Sequence, residues 1–207
     1  MSLILCAATA AWAAVATTTA TVYHRRLHTD PLTRISNHAA LHRRARPRIR
    51  RSGIVGLLVA DLDRFKSIND TYGHPFGDRV LAAVAARLRD LARPGELPAR
   101  LHGDEFALWL GHLDDAEQAE RRADDLFRAL SAPLSIGDHR IAAGGSVGHA
   151  VAPTGTPLDE LISQADAHLY LAKARTRQPR DLARAQRRPG VVAHHHLHAG
   201  ACGAGEQ

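Results

Sequence analysis

The sequence predicts an α/β fold in which helices flank a mainly antiparallel central sheet, and three stretches carry that expectation. Ile54-Val55-Gly56-Leu57-Leu58-Val59-Ala60 is a short apolar run rich in branched residues, as in a buried strand, and it ends on Asp61-Leu62-Asp63. Residues 97–101 and 105–110 flank Gly103 like the arms of a hairpin. Val80, Leu81, Val84, Ala85, Leu88 and Leu91 recur at helical spacing and predict a helix over 75–91.

Taken in chain order, an opening helix is expected from about Pro31, with Asp30 as its cap ahead of Pro31-Leu32-Thr33. After strand 54–60, the stretch from Ser67 to Asp78 holds two glycines, a proline, an amide and carboxylates, and predicts a shaped loop feeding helix 75–91. Arg93-Pro94-Gly95-Glu96 reads as a turn into the hairpin. Beyond it come a helix over 114–131, a strand over 140–151 and a helix over 157–176. With 45% hydrophobic residues, a core of normal size is feasible.

Asp61 and Asp63 lie at the end of one strand, and Asp104 and Glu105 beside the hairpin turn. Two adjacent strand ends bring Asp61 and Asp104 together. Carboxylates held that close repel one another unless a cation lies between them, and oxygen donors favour Mg²⁺ or Mn²⁺ bound together with substrate phosphates. Of the 27 basic residues only Lys66 and Lys173 are lysines. A retained ammonium in an arginine-rich chain suits a point-charge contact to phosphate.

Asp30-Pro31-Leu32-Thr33, the Asp61 to Asp78 segment, His102-Gly103-Asp104-Glu105-Phe106, Ser146-Val147-Gly148 and Ala165 to Lys173 together resemble the GGDEF-domain diguanylate cyclases, in the family's order. The likeness spans roughly residues 28–178. It implies a nucleotidyl-cyclase-like palm and the condensation of two GTP molecules into cyclic di-GMP, with pyrophosphate leaving. By the same resemblance Asp61, Asp104 and the Leu62 carbonyl hold Mg²⁺ or Mn²⁺, and Asp104 or Glu105 removes the proton from the attacking hydroxyl. Asn69, His74 and Asp78 select guanine, whose N1–H and amino group are donors suited to a carboxylate. Lys66, backbone N–H groups near Phe65, Lys173 and Arg177 contact phosphate. A homodimer follows because each site holds one GTP and two must meet. The alternative is a catalytically inactive module that binds GTP or cyclic di-GMP and regulates a partner.

The chain departs from the family pattern at three places. His102 replaces the first glycine of the signature, where a histidine adopts glycine-like angles only at a cost, so reduced activity is expected. Thr176 and Gln178 replace the glycine and asparagine that flank the family's arginine. The family's inhibitory Arg-x-x-Asp becomes Arg93-Pro94-Gly95-Glu96, a degenerate product-inhibition site at most. Simpler roles are expected elsewhere: Asp63 ties down the loop, Phe65, Phe76 and Phe106 serve the core, and Asp166 and Tyr170 support helix packing.

Outside residues 30–178, Ser2 to Tyr23 contains no charged residue and precedes His24-Arg25-Arg26. About 20 such residues span a bilayer as a helix, so residues 1–23 are expected to be a single-pass anchor in the inner membrane. Residues 24–29 then form a basic linker, and the catalytic part stays on the cytoplasmic side. The formal net charge of +6 and the arginines at 43, 44, 46, 48, 50 and 51 suit an anionic membrane surface. No nucleic-acid-binding motif accompanies them, so no specific nucleic-acid partner is expected. Cys6 and Cys202 form neither a disulfide framework nor a zinc cluster. Residues 179–207, with His194-His195-His196-Leu197-His198, read as a disordered tail with adventitious metal affinity.

Overall fold

The computed structural model describes residues 12, 14–19, 27–46 and 52–186, with side chains of the last helix described through Ala174. Two compact units are present, Met1–Ala174 and Arg175–Gln207. The elements are β1 (Ser36–Asn37), α1 (His38–Ala45), β2 (Ile54–Leu62), α2 (Phe65–Tyr72), α3 (His74–Leu91), β3 (Leu97–His102), β4 (Glu105–Leu113), α4 (Glu117–Ser131), β5 (Leu134–Ile136), β6 (His139–Ile141), β7 (Gly145–Pro153) and α5 (Leu158–Gln186). Five strands form one sheet in the order β1-β3-β4-β2-β7, and β5-β6 pair separately. Among the described residues only the short β1–β3 contact is parallel; β2, β3, β4 and β7 pair antiparallel.

The apolar run of β2 is continuous because both of its faces are covered. Leu58, Ala60 and Leu62 share one core layer with Phe106 and Leu108 of β4, Val80, Leu81, Val84 and Leu88 of α3, and Leu126 and Leu130 of α4. Leu57 and Val59 point the other way, into a layer with Trp109, Leu41 of α1, and Leu158, Leu161, Ala165 and Leu169 of α5. Gly148 of β7 lets α5 approach closely. A Cβ there would collide with the Ala165 carbonyl and the Leu169 amide.

Several expectations need correction. No helix begins at Pro31. Residues 31–33 form a turn in which Asp30 accepts hydrogen bonds from the Thr33 amide (2.8 Å) and hydroxyl (2.6 Å), and the chain then turns through Arg34 at φ +63°. Helix α1 starts at His38 and is capped by Asn37, whose side chain accepts from the Ala40 amide at 3.0 Å. The loop expected after Asp63 is largely the helix α2, which stops at Gly73 with φ +82°. The strand expected over 140–151 is two strands, β6 and β7, parted where Gly144 takes φ +66°. Phe76 and Phe106 are buried and Phe65 packs against the same core. The anchor expected over residues 1–23 lies mostly outside the described residues. Among the described residues no helix is long and apolar enough to cross a membrane.

Candidate active site

Strand β2 lies between β4 and β7, and its end collects the carboxylates. Asp61 stands opposite Glu105 of β4 and Ser146 of β7. Directly opposed residues of an antiparallel pair share a face, so the Asp61 and Glu105 side chains are neighbours. Asp104 lies in the β3–β4 turn. Gly103 takes φ +49° there while Asp104 stays out of the left-handed region, the glycine-first pattern of a tight two-residue hairpin. The Leu62 amide donates to the Asp104 carbonyl at 3.4 Å, which ties the turn to the end of β2.

Arg100, a residue the sequence reading missed, fixes that turn from below. Its Nε and Nη2 donate to the Gly103 carbonyl at 2.9 and 2.7 Å, and its Nη1 reaches Asp30 Oδ1 at 3.2 Å. Asp30 thus acts through Arg100 on the signature hairpin rather than as a helix cap. The available signal was the pairing of an isolated Asp30 with an arginine two residues before His102, a link of 70 residues in sequence.

Burial raises the Asp104 carboxyl above the ordinary carboxylate range, and the Asp61 charge adds to this against Lys173 and His102. Glu105 is raised as well, by burial first and then by Asp61, Asp166 and Asp104, with His102 opposing. The Lys173 ammonium already sits on Asp61, Nζ to Oδ1 2.8 Å. Three carboxylates pressed together and one ammonium among them form a site whose negative charge is incompletely balanced.

His102 does not adopt glycine-like angles: it lies in β3 opposite Glu105 and is absent from the positive-φ residues. The backbone cost expected of it is therefore not incurred. Its Nε2 instead pairs with Glu105 Oε2 at 3.2 Å. Asp63 accepts a hydrogen bond from the Ser146 hydroxyl at 3.0 Å, the loop-tying role expected of it. Asp166 and Tyr170 do not support helix packing. Tyr170 is 73% exposed, and Asp166 is exposed next to the site, where its charge acts on Glu105.

Farther along, Lys66 is exposed in the first turn of α2, while His74 and Asp78, four apart, share one face of α3. Asn69 of α2 lies against Gly77, where a Cβ would strike its Oδ1, and that buried oxygen has no hydrogen-bond partner. Asn69 is thereby held beside the first turns of α3 with an acceptor unused. The Arg177 side chain lies outside the described residues.

Arg93 and Glu96 differ in setting: Arg93 is exposed, and Glu96 is engaged within the fold. Glu96 faces inward, where Arg122 donates to both of its oxygens at 2.8 and 2.7 Å, and it also accepts from the Arg93 amide at 2.8 Å. Arg93 reaches Asp125 at 3.2 Å. The turn reading of this tetrapeptide is the one the structure bears out, with Glu96 N donating to Arg93 O at 3.0 Å.

The family pattern described as "Diguanylate cyclase, GGDEF domain" matches residues 27–179. The diguanylate cyclase TpbB of Pseudomonas aeruginosa is 37% identical over 163 residues, which cover 75% of this chain and 37% of TpbB, so the chain spans little more than a third of that relative's length. The solved GGDEF domain of TpbB from the same organism matches with a TM-score of 0.63 at 36% identity, over 72% of this chain and 90% of that one. The coiled coil and GGDEF domain of DgcB from Caulobacter crescentus, solved in complex with c-di-GMP, matches with a TM-score of 0.69 at 26% identity, over 81% of this chain and 92% of that one. The expected palm, with its mainly antiparallel sheet flanked by helices, is the architecture these relatives share. A pattern that covers most of the chain, and a signature hairpin that places Asp104 and Glu105 against Asp61, lead to one assignment: the chain belongs to the GGDEF domain family of diguanylate cyclases.

Proposed function

We propose that this protein condenses two GTP molecules into cyclic di-GMP and two pyrophosphates. The observation that carries the reading is the convergence of Asp61, Asp104 and Glu105 at one end of β2, with a single ammonium balancing them. The donor set fits a hard divalent cation: the Asp61 and Asp104 carboxylates and the Leu62 carbonyl are all oxygen, and Lys173 marks where positive charge is already favoured. When bound, Mg²⁺ or Mn²⁺ supplies Lewis-acid polarisation of the α-phosphate and acidifies the attacking hydroxyl.

The chain's own residues then divide the remaining work. Asn69 and Asp78 read the guanine edge, the Asn69 amide being able both to donate and to accept, with His74 beside them. Lys66 and the first N–H groups of α2 at Phe65 hold phosphate oxygens. Lys173 exchanges Asp61 for a phosphate oxygen, and a phosphate contact by Arg177 rests on the family resemblance alone. The 3′-oxygen of one GTP forms a bond to the α-phosphorus of the other, the bond to pyrophosphate breaks, and the proton passes to Asp104 or Glu105, the two carboxylates of the signature hairpin. Repetition in the opposite sense closes the ring, which requires a homodimer.

The test incubates the full chain with GTP and Mg²⁺ or Mn²⁺ beside Asp104→Ala and identifies the products by mass. Cyclic di-GMP from the parent alone supports the reading, and intact GTP from a folded, dimeric parent rejects it. The second reading, a catalytically silent nucleotide-binding module, draws on the His102–Glu105 ion pair, which ties down one of the two candidate bases. It predicts saturable GTP binding with no product in the same assay. The charge-free stretch Ser2 to Tyr23 further supports tethering at the inner membrane with the catalytic part cytoplasmic. Recovery of the protein from salt-washed membranes tests that placement, and its release by salt alone rejects it.

A further inference from the structure

Away from the carboxylate site, His38 and His42 lie one turn apart on α1, and Asp159 stands in the first turn of α5. His42 Nε2 is 3.2 Å from Asp159 Oδ1, and the two imidazole rings meet edge to face with centroids 4.6 Å apart. One ligand atom from each of the three side chains lies within 4.8 Å of the others. We propose that His38, His42 and Asp159 form a second metal site, for a dication of the Zn²⁺ class, that pins α1 to the start of α5.

The ligand chemistry decides the class. Two imidazole nitrogens and one carboxylate are poor donors for Mg²⁺ or Ca²⁺ and good ones for Zn²⁺ and its transition-metal neighbours. Histidines four apart on a helix present both rings on one side. In a tetrahedral Zn²⁺ site with bonds of about 2.0–2.1 Å, neighbouring donor atoms stand roughly 3.3 Å apart. The His42–Asp159 pair is already at that spacing. His38 is exposed, so rotation of its side chain closes the remaining gap without disturbing packing, and water takes the fourth position.

The frame under these residues is fixed. Leu41, beside His42, and Leu158 and Leu161, which bracket Asp159, are buried in the same core layer. The Asn37 cap sets where α1 begins. Arg46 lines the cleft that His42 and Asp159 share, and its charge weighs against ions held by electrostatics alone. The alternative is an ordinary ion pair between a protonated His42 and Asp159, and that pair makes no use of His38.

The test uses the full chain with His194, His195, His196 and His198 replaced by alanine, because clustered histidines compete for the same metals. Zn²⁺ is titrated against a chromophoric chelator with Mg²⁺ in excess, and Co²⁺ is added separately to read its visible spectrum. One equivalent of Zn²⁺ is expected to bind and raise the melting temperature, and Co²⁺ to give the intense visible absorption of a four-coordinate site. His42→Ala is expected to weaken Zn²⁺ by at least the roughly tenfold that even outer-shell changes cost. The exposed His38→Gln is expected to do the same with circular dichroism unchanged, which covers the case in which His42→Ala unsettles α1. Zn²⁺ affinity or the Co²⁺ spectrum left unchanged in His38→Gln would overturn the site, as would a parent that binds no Zn²⁺.

Discussion

Two groups of carboxylates in this molecule are treated in opposite ways. At the end of β2, Asp61, Asp104 and Glu105 crowd together, and burial and mutual repulsion raise Asp104 and Glu105. Behind the β3–β4 hairpin, Glu96 and Asp125 are answered fully. Arg122, 2% exposed, donates to both Glu96 oxygens and to Asp125 at 2.9 Å, and Asp125 also takes Arg128 at 2.6 Å. Asp125 is lowered accordingly, the hydrogen bonds from Arg128 and Arg122 outweighing its burial. Unbalanced charge is stored where a ligand is expected and is absent where the fold needs only to be stable. Changes at the first group should therefore cost activity, and changes at the second should cost stability.

The largest expected effect is on turnover. Asp104→Asn keeps the size of the side chain and removes a metal-ligand and base candidate, so cyclic di-GMP synthesis should fall by about 10²–10⁴-fold. The same change relieves repulsion with Asp61, so the urea midpoint should hold or rise. A clear loss of stability would break the contrast. Arg122→Ala is the mirror image. It strands Glu96 in the interior, so it should destabilise by about 3–5 kcal/mol in urea unfolding. Replacing Arg122 and Glu96 together by leucine should recover much of that loss, because the pair's desolvation cost disappears with its charges.

Legibility in the sequence divides along the same line. The site was readable at Asp61 and Asp104 because its signals are local: an apolar strand that ends in carboxylates, and a glycine turn followed by Asp-Glu. The Arg122–Glu96 pair spans 26 residues and left no local mark, so Glu96 looked like a weak ligand rather than a buried partner. Helix α2 was missed because Ser67-Ile68-Asn69-Asp70-Thr71 has low helical propensity, and packing of Phe65 and Ile68 on the core overrides it. The false opening helix came from Asp30, whose carboxylate serves a turn and Arg100 instead. His102 was read through its backbone, yet its effect runs through its side chain.

Asp30 connects the two regimes, since it is a satisfied carboxylate that acts on the unsatisfied site through Arg100. Burial alone would raise its pKa, but hydrogen bonds from the Thr33 hydroxyl and amide and from Arg100 outweigh this and hold it below the ordinary carboxylate range. A depressed carboxylate contributes stability in full above its unfolded pKa of about 3.9, and the contribution is lost as pH falls through the lower folded value. Asp30→Asn should therefore cost about 1–2 kcal/mol at neutral pH, where charge-assisted hydrogen bonds are lost. Parent and variant should begin to converge as pH falls below about 4 and meet only below the lowered folded value. Thermal unfolding of both across that range reads the window, and a difference that persists in acid would mean that the carboxylate's charge is not what stabilises the turn.

The smallest expected effect sharpens the contrast most. His102→Gly restores the residue typical of the signature, yet the structure gives little reason for a gain. The histidine's backbone is already extended, so glycine relieves no strain and adds about 0.5–1 kcal/mol of strand cost. The His102–Glu105 pair is exposed on the histidine side at 76%, and such pairs are worth about 0–1 kcal/mol. Stability should change by no more than about 1 kcal/mol and turnover by less than roughly tenfold, since tenfold needs about 1.4 kcal/mol. Parallel measurement of cyclic di-GMP synthesis and urea unfolding decides it. A rise of roughly a hundredfold in turnover would exceed what an exposed ion pair can hold back. In that case Glu105 belongs with the satisfied carboxylates, His102 being the partner that silences it, and the division between the two groups would have to be redrawn through the signature itself.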